Sequence, residues 1–204
     1  MFTIKELSQY EIVVEKSRFI TTLIPVKNMA EVTKALADTR KKYFDATHNC
    51  YAYIIGSDQA IKKASDDGEP AKTAGFPMLN VLEKNNLCNI LAITTRYFGG
   101  TLLGAGGLVR AYSNSVIEAV NHAEVFELTS LQKIIISIDY PYYSLLEEEI
   151  KKYDIINIRF SDSVDITLGI DLNKVDDFKV LFQNVTRGKG LFIVDNIYNG
   201  LKKA

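Results

Sequence analysis

Two hundred and four residues with 47% apolar content can bury a sizeable core, as one large domain or two small ones. The charge nearly balances at −1, which excludes a chain drawn to nucleic acid by its overall field and leaves only a local basic patch for that purpose. Two cysteines, Cys50 and Cys88, are too few for a disulfide framework or a zinc cluster; with no signal-like start and no membrane-length apolar run, a soluble, reduced, cytoplasmic protein is expected.

The N-terminal part opens with two β-like segments, EIVVEK (11–16) and FITTLIPV (19–26). Met29 to Phe44 reads as a helix in which Met29, Val32, Leu36 and Tyr43 share a face. NCYAYIIG (49–56) alternates and is aromatic, a strand pattern, whereas SDDGEPAKTAG (65–75) is dense in turn residues. Pro77 to Glu83 predicts a short helix and CNILAITT (88–95) a strand that feeds a glycine-rich loop, from which a helix runs from Gly106 to about His122. In the C-terminal part, a strand at 131–139, a helix at 142–153, strands IINIRF and VDITLGID, a helix at 175–185 and a strand LFIVDNIY follow in turn. That order, β-α-β-β-α-β, predicts a ferredoxin-like domain. The pattern changes near Glu127–Ser130, so domains of 1–128 and 129–204 are expected; the first carries 14 basic and 14 acidic residues and the second 10 and 11, so neither is basic overall.

The densest local signal is TRYFGGTLLGAGGLVRAYSNS (95–115), which places Gly99, Gly100, Gly104, Gly106 and Gly107 between Arg96 and Arg110. No acid occurs from Lys84 to Ile117. Free amides at a helix start, the positive end of its dipole and two arginines suit an anion, above all a phosphate. The competing reading is a tight structural turn whose arginines pair with carboxylates elsewhere, such as Asp66, Asp67 or Glu69. The loop is neither a P-loop, since no Lys-Ser/Thr pair follows its last glycine, nor a dinucleotide fingerprint. Lys16, Ser17 and Arg18 add a second basic contact if the fold brings them beside it.

Asp66, Asp67 and Glu69 could hold Mg²⁺, although Asp-Asp-Gly and Glu-Pro already explain a turn. His48 and Cys50, two apart on a strand, share a face and could form an assisted thiolate, against the plainer reading of a buried cysteine beside a hydrogen-bonded histidine. Tyr51, Tyr53, Tyr97, Phe98 and Tyr112 could stack on bases, against a role in the core.

The blocks KSRFI (16–20), THNCYAY (47–53), SDDGEP (65–70), TAGFP (73–77) and RYFGGTLLGAGGLVRAY (96–112) resemble the IMPACT/YigZ family. The resemblance implies an α+β protein whose N-terminal half shares the ribosomal-protein domain-2-like fold of translation factors. Its C-terminal ferredoxin-like half is similar to the last domain of elongation factor G. It also implies translation-linked work, since eukaryotic relatives regulate initiation under stress. One departure stands out: where many relatives carry Ser-Gly after the GEP, this chain has Ala71–Lys72, which adds a cation.

A non-catalytic, translation-associated regulator is therefore expected, binding RNA or the ribosome through Lys16, Ser17, Arg18, Arg96, Gly99, Gly100, Gly104, Gly106, Gly107 and Arg110. His48, Asp66, Asp67, Glu69 and Lys72 are secondary candidates, and no catalytic residue, metal or cofactor is expected. The alternatives are an enzyme acting on a nucleotide or phosphometabolite with Mg²⁺ at the acidic loop, and a protein–protein regulatory module without nucleic acid.

Overall fold

The computed structural model of the protein describes residues 1–57 and 59–203. Glu15 and Lys16 take left-handed φ values of 46° and 64°, the backbone of a two-residue I′ turn, and so join β2 (Ser8–Val14) to β3 (Ser17–Pro25) as a tight hairpin. The strand expected over 11–16 therefore ends two residues sooner, at the turn. β3 then pairs with β6 (Ile90–Tyr97), β6 with β4 (His48–Ile55), and β4 with β5 (Ile61–Ser65), giving an antiparallel sheet in the order β2-β3-β6-β4-β5.

Both faces of this sheet are covered, so its central strands are buried almost throughout. On one face α1 (Met29–Lys42) packs Val32, Ala35 and Leu36 against Val26, Tyr53, Ile55, Leu91 and Ile93. Asn28 caps α1 by accepting from the Glu31 amide, and the Glu31 carboxylate accepts from the Asn28 side-chain amide and the Lys27 backbone amide, which fixes where the helix starts. The opposite face carries the even-numbered residues of β4 and β6, His48, Cys50, Thr94 and Arg96 among them. It meets α2 (Gly75–Lys84) and α3 (Gly104–Asn121), whose Tyr112 is fully buried against Phe19. Two strands escape the sequence pattern: β1 (Phe2–Ile4), which pairs with the first residues of β7 (Val125–Ile138), and β5, whose Lys62 and Lys63 interrupt any apolar alternation at an exposed edge.

The chain is a two-domain α+β protein, its two units spanning Met1–Glu127 and Leu128–Lys202. In the second unit β7, α4 (Tyr140–Ile150), β8 (Asp154–Phe160), β9 (Val164–Asp171), α5 (Val175–Thr186) and β10 (Leu191–Lys203) follow the expected order. The antiparallel sheet order β10-β7-β9-β8 is the ferredoxin-like arrangement. One face buries Ile134, Ile136, Ile138, Val164, Ile166, Leu168 and Ile170 under Leu146, Ile150, Phe178 and Phe182 of the two helices. The other face carries charges paired within the unit: Lys133 pairs with Asp195, Arg159 with Asp165 and Lys202 with Asp171, while the Tyr198 hydroxyl donates to Asp154.

Candidate anion-binding site

The glycine loop, 98–103, leaves β6 beside the β2–β3 hairpin because Phe19 lies opposite Arg96 and Arg18 opposite Tyr97. The two segments touch at Gly99. A Cβ built there would stand 2.0 Å from the Lys16 carbonyl carbon and 2.3 Å from the Ser17 nitrogen, so only glycine lets the hairpin turn lie against the loop. Ser17, fully buried, accepts from the Gly99 amide at 3.1 Å and from the Arg96 guanidinium at 3.4 Å. Gly100 and Gly104 take φ of 86° and 67°, which turns the chain into α3. Lys16, Ser17 and Gly99 are thus neighbours, with Ser17 a buried strut rather than an exposed ligand.

At the entrance of α3 the first turn reads Gly104-Ala105-Gly106-Gly107. No side chain caps it and no acid lies in it. Among the described residues no loop or side-chain acceptor takes the amides of Gly104, Ala105 or Gly106, which are orphan donors at the positive end of the helix. Gly106 has open space around it. Arg110 is exposed and has no ion pair among the described residues. Helical side chains lean toward the N-terminus, and Arg110 stands three and four residues after Gly107 and Gly106, on the same side of the helix as that turn.

For Arg96 the structure shows the competing reading, an arginine paired with a carboxylate distant in sequence. It is 5% exposed and pairs through Nη1 with Glu69 at 2.6 Å, with Glu69 itself 8% exposed. The Tyr112 hydroxyl donates to the same Glu69 oxygen at 2.7 Å, and the Cys50 thiol donates to Tyr112 at 3.3 Å. His48 Nε2 faces the other Glu69 oxygen at 3.9 Å, while its Nδ1 bonds the Asp67 carbonyl at 2.8 Å. The Arg96 guanidinium also lies over the rings of Phe19 and Phe98, and its Nε is buried without a partner. Arg96 therefore holds the glycine loop from beneath and is withdrawn from its surface. Arg18, by contrast, is exposed and forms a two-point pair with Glu11 at 2.8 and 3.0 Å.

The acidic loop is committed in the same way. Asp66 accepts from the amides of Lys72, Ala74 and Gly75 at 2.8–3.0 Å, so the entrance of α2 is filled by the chain's own carboxylate. Asp67 accepts from the Asn49 amide and pairs with Arg40. With Glu69 bound to Arg96, the three acids leave no open oxygen set for Mg²⁺, and no cluster able to hold a metal occurs among the described residues. Lys72 sits at φ 63°, a left-handed conformation that a side chain disfavours. Lys72→Gly is expected to raise the thermal midpoint, gaining about 0.5–1 kcal/mol once relief of strain is offset by the extra freedom of the unfolded chain.

Of the remaining candidates, Cys50, Tyr53 and Tyr112 are buried. Burial pushes the Cys50 thiol up to about 12, against the lowering bond from Tyr112 and with Glu69, Asp67 and Asp66 raising it further, so it stays a protonated thiol at neutral pH rather than a nucleophile. Burial likewise raises the Tyr112 hydroxyl far above the usual tyrosine range. Tyr53 and Tyr112 are core residues, whereas Phe98 (48% exposed) and Leu102 (88%) are the open apolar groups of the loop. The one signal that could have joined these residues in advance is parity: on β4 and β6, His48, Cys50 and Arg96 point to one face, where a buried arginine requires a carboxylate.

The family model described as the Impact N-terminal domain matches residues 15–120, the whole span of this network and loop. The chain belongs to the IMPACT family. A second model, described only as a domain of unknown function, matches residues 136–189. The IMPACT family member YvyE of Bacillus subtilis is 42% identical over 190 residues, covering 92% of this chain and 88% of that protein. The family member YigZ of Escherichia coli is 33% identical over 179 residues, 86% of this chain and 88% of its own. A crystal structure of a hypothetical protein, 30% identical, superimposes with a TM-score of 0.60 over 96% of this chain and 97% of the other, in keeping with the two-domain fold.

Proposed function

We propose that this IMPACT family member is a non-catalytic, translation-associated protein of the cytoplasm that binds RNA or the ribosome through the first turn of α3 and the hairpin turn beside it. The observation that carries this is the uncapped, acid-free entrance of α3, with its Gly104–Gly106 amides unclaimed and the exposed Arg110 one turn further along the same helix. Lys16, exposed in a turn pressed onto Gly99, adds a second cation, and Gly100 and Gly107 complete the backbone of the cradle. Arg96 and Ser17 position the loop, and Lys72 and Arg18 are outlying charges. The family resemblance supplies the link to translation. The sheet face of the second unit whose charges are already paired within the chain suits a protein contact better than a phosphate backbone.

The logarithm of RNA affinity should fall linearly with the logarithm of salt concentration as counterions are released. Arg110→Ala should reduce that slope by about one and weaken binding to all sequences alike, with the melting curve unchanged. Filter or fluorescence binding to RNA and to ribosomes at low salt checks this, and no binding there rejects the proposal. The exposure of Phe98 and Leu102 in the same loop favours a protein partner as the second reading. Capture that survives nuclease treatment distinguishes the two.

A further inference from the structure

β8 ends its sheet: β9 pairs with one of its edges, and among the described residues no strand pairs with the other. Its sequence, DIINIRF, has neither proline nor glycine, and Ile155, Ile156 and Phe160 are exposed. Such an edge offers outward N–H and C=O groups to any extended segment able to lie alongside. Edges are commonly guarded by lysine, proline or a bulge, and β8 has only a bulge, between Ile155 and Asn157. That bulge leaves Ile156 outside the ladder with β9. It also brings Asp154 and Arg159 to the same face, since Asp154 lies opposite Gly169 and Arg159 opposite Asp165.

We infer that β8 pairs, antiparallel, with β8 of a second copy of the chain, about a twofold axis between Ile156 and Asn157. Pairing about that point sets Asp154 opposite Arg159, Ile155 opposite Ile158 and Ile156 opposite Asn157, each twice, so the segment is complementary to its own reverse in charge and in apolar character. Ile155 and Ile158 both lie opposite helix-facing residues of β9, Leu168 and Ile166, so their contact falls on one face and the charges on the other. Moving the axis onto Ile156 or Asn157 sets Asp154 opposite Ile158 or Phe160 and loses the charge pair, which fixes the register. Within each copy Arg159 keeps Asp165, so the charges of the two sheets join into a row across the twofold. Six paired residues cover far less than the roughly 1,600 Å² of a standard interface, and the dimer is accordingly weak and concentration-dependent.

Sedimentation equilibrium of the full chain across a wide concentration range tests the pairing, with hydrogen exchange reporting on the β8 amides. A reversible monomer–dimer equilibrium is expected. Ile156→Lys and Arg159→Glu should each weaken it about tenfold, by setting like charges across the twofold axis. Asp154→Lys combined with Arg159→Glu should restore it, and circular dichroism should show each variant folded. A monomer at every concentration overturns the inference, as does a dimer that tolerates both single changes or a double variant that fails to recover. Protection of the β8 amides that arises only when a different protein is added also overturns it and assigns the edge to that partner.

Discussion

Glu69→Ala is expected to destabilise the first unit by about 3–5 kcal/mol, the range for removing one partner of a buried ion pair. The Arg96 guanidinium is 5% exposed, and its Nε already lacks a partner. Without Glu69 its remaining side-chain bond is the long one to Ser17 at 3.4 Å, so a full charge stays buried and nearly unpaired. Tyr112 loses its acceptor in the same step, and the Cys50–Tyr112 link loses its anchor. Native-state hydrogen exchange at the β4 and β6 amides reads this unit separately from the other. A loss below about 1 kcal/mol would mean the pair is effectively solvated, contrary to its burial. Replacing both partners, Glu69→Leu with Arg96→Met, should recover much of the stability, since apolar groups of similar size bring no desolvation cost. The double variant should nonetheless leave the glycine loop less well held, visible as faster exchange at the Gly99 amide.

Gly99→Ala and Gly106→Ala should move stability in opposite directions although both lie in one loop-to-helix segment. At Gly99 the new methyl would meet the Lys16 carbonyl and the Ser17 nitrogen at 2.0–2.3 Å, and backbone atoms cannot rotate aside. Either the hairpin turn moves off the loop or the loop moves off β6, and a cost of about 2–4 kcal/mol is expected from a forced overlap of this kind. At Gly106 nothing lies within 4 Å, and alanine stiffens a helical position, so a gain of about 0.5–1 kcal/mol is expected. On the proposed reading the group that meets the anion at 106 is the amide, which alanine keeps, so affinity should survive there and should fall at 99 with the displaced turn. Thermal melts with RNA titrations on the two variants check both halves of this contrast.

Local pattern carried the fold further than it carried the site. The C-terminal β-α-β-β-α-β order was legible because each strand alternates and each helix has a charged outer face, as at Glu147–Lys152. β5 was not, since an exposed edge strand with two lysines keeps no apolar period, and β7 begins six residues before the expected start because Glu127 and Ser130 break its alternation. At the site, the glycines of 99–107 were legible as a feature but not as two kinds of feature. Gly99 answers to a neighbour 82 residues earlier, and Gly106 answers to nothing within reach. The Arg96–Glu69 pair spans 27 residues and two elements, so an acid-free stretch in sequence did not mean an acid-free surrounding in space.

The entrances of α2 and α3, two of the three in the first unit, have met opposite fates. Asp66 folds back to occupy the start of α2, showing how readily a nearby carboxylate of the chain itself takes such a place. From Lys84 to Ile117 there is no carboxylate to do the same at α3. The missing acids thus remove every local anionic competitor, and whatever anion reaches that doorway does not have to evict a tenant.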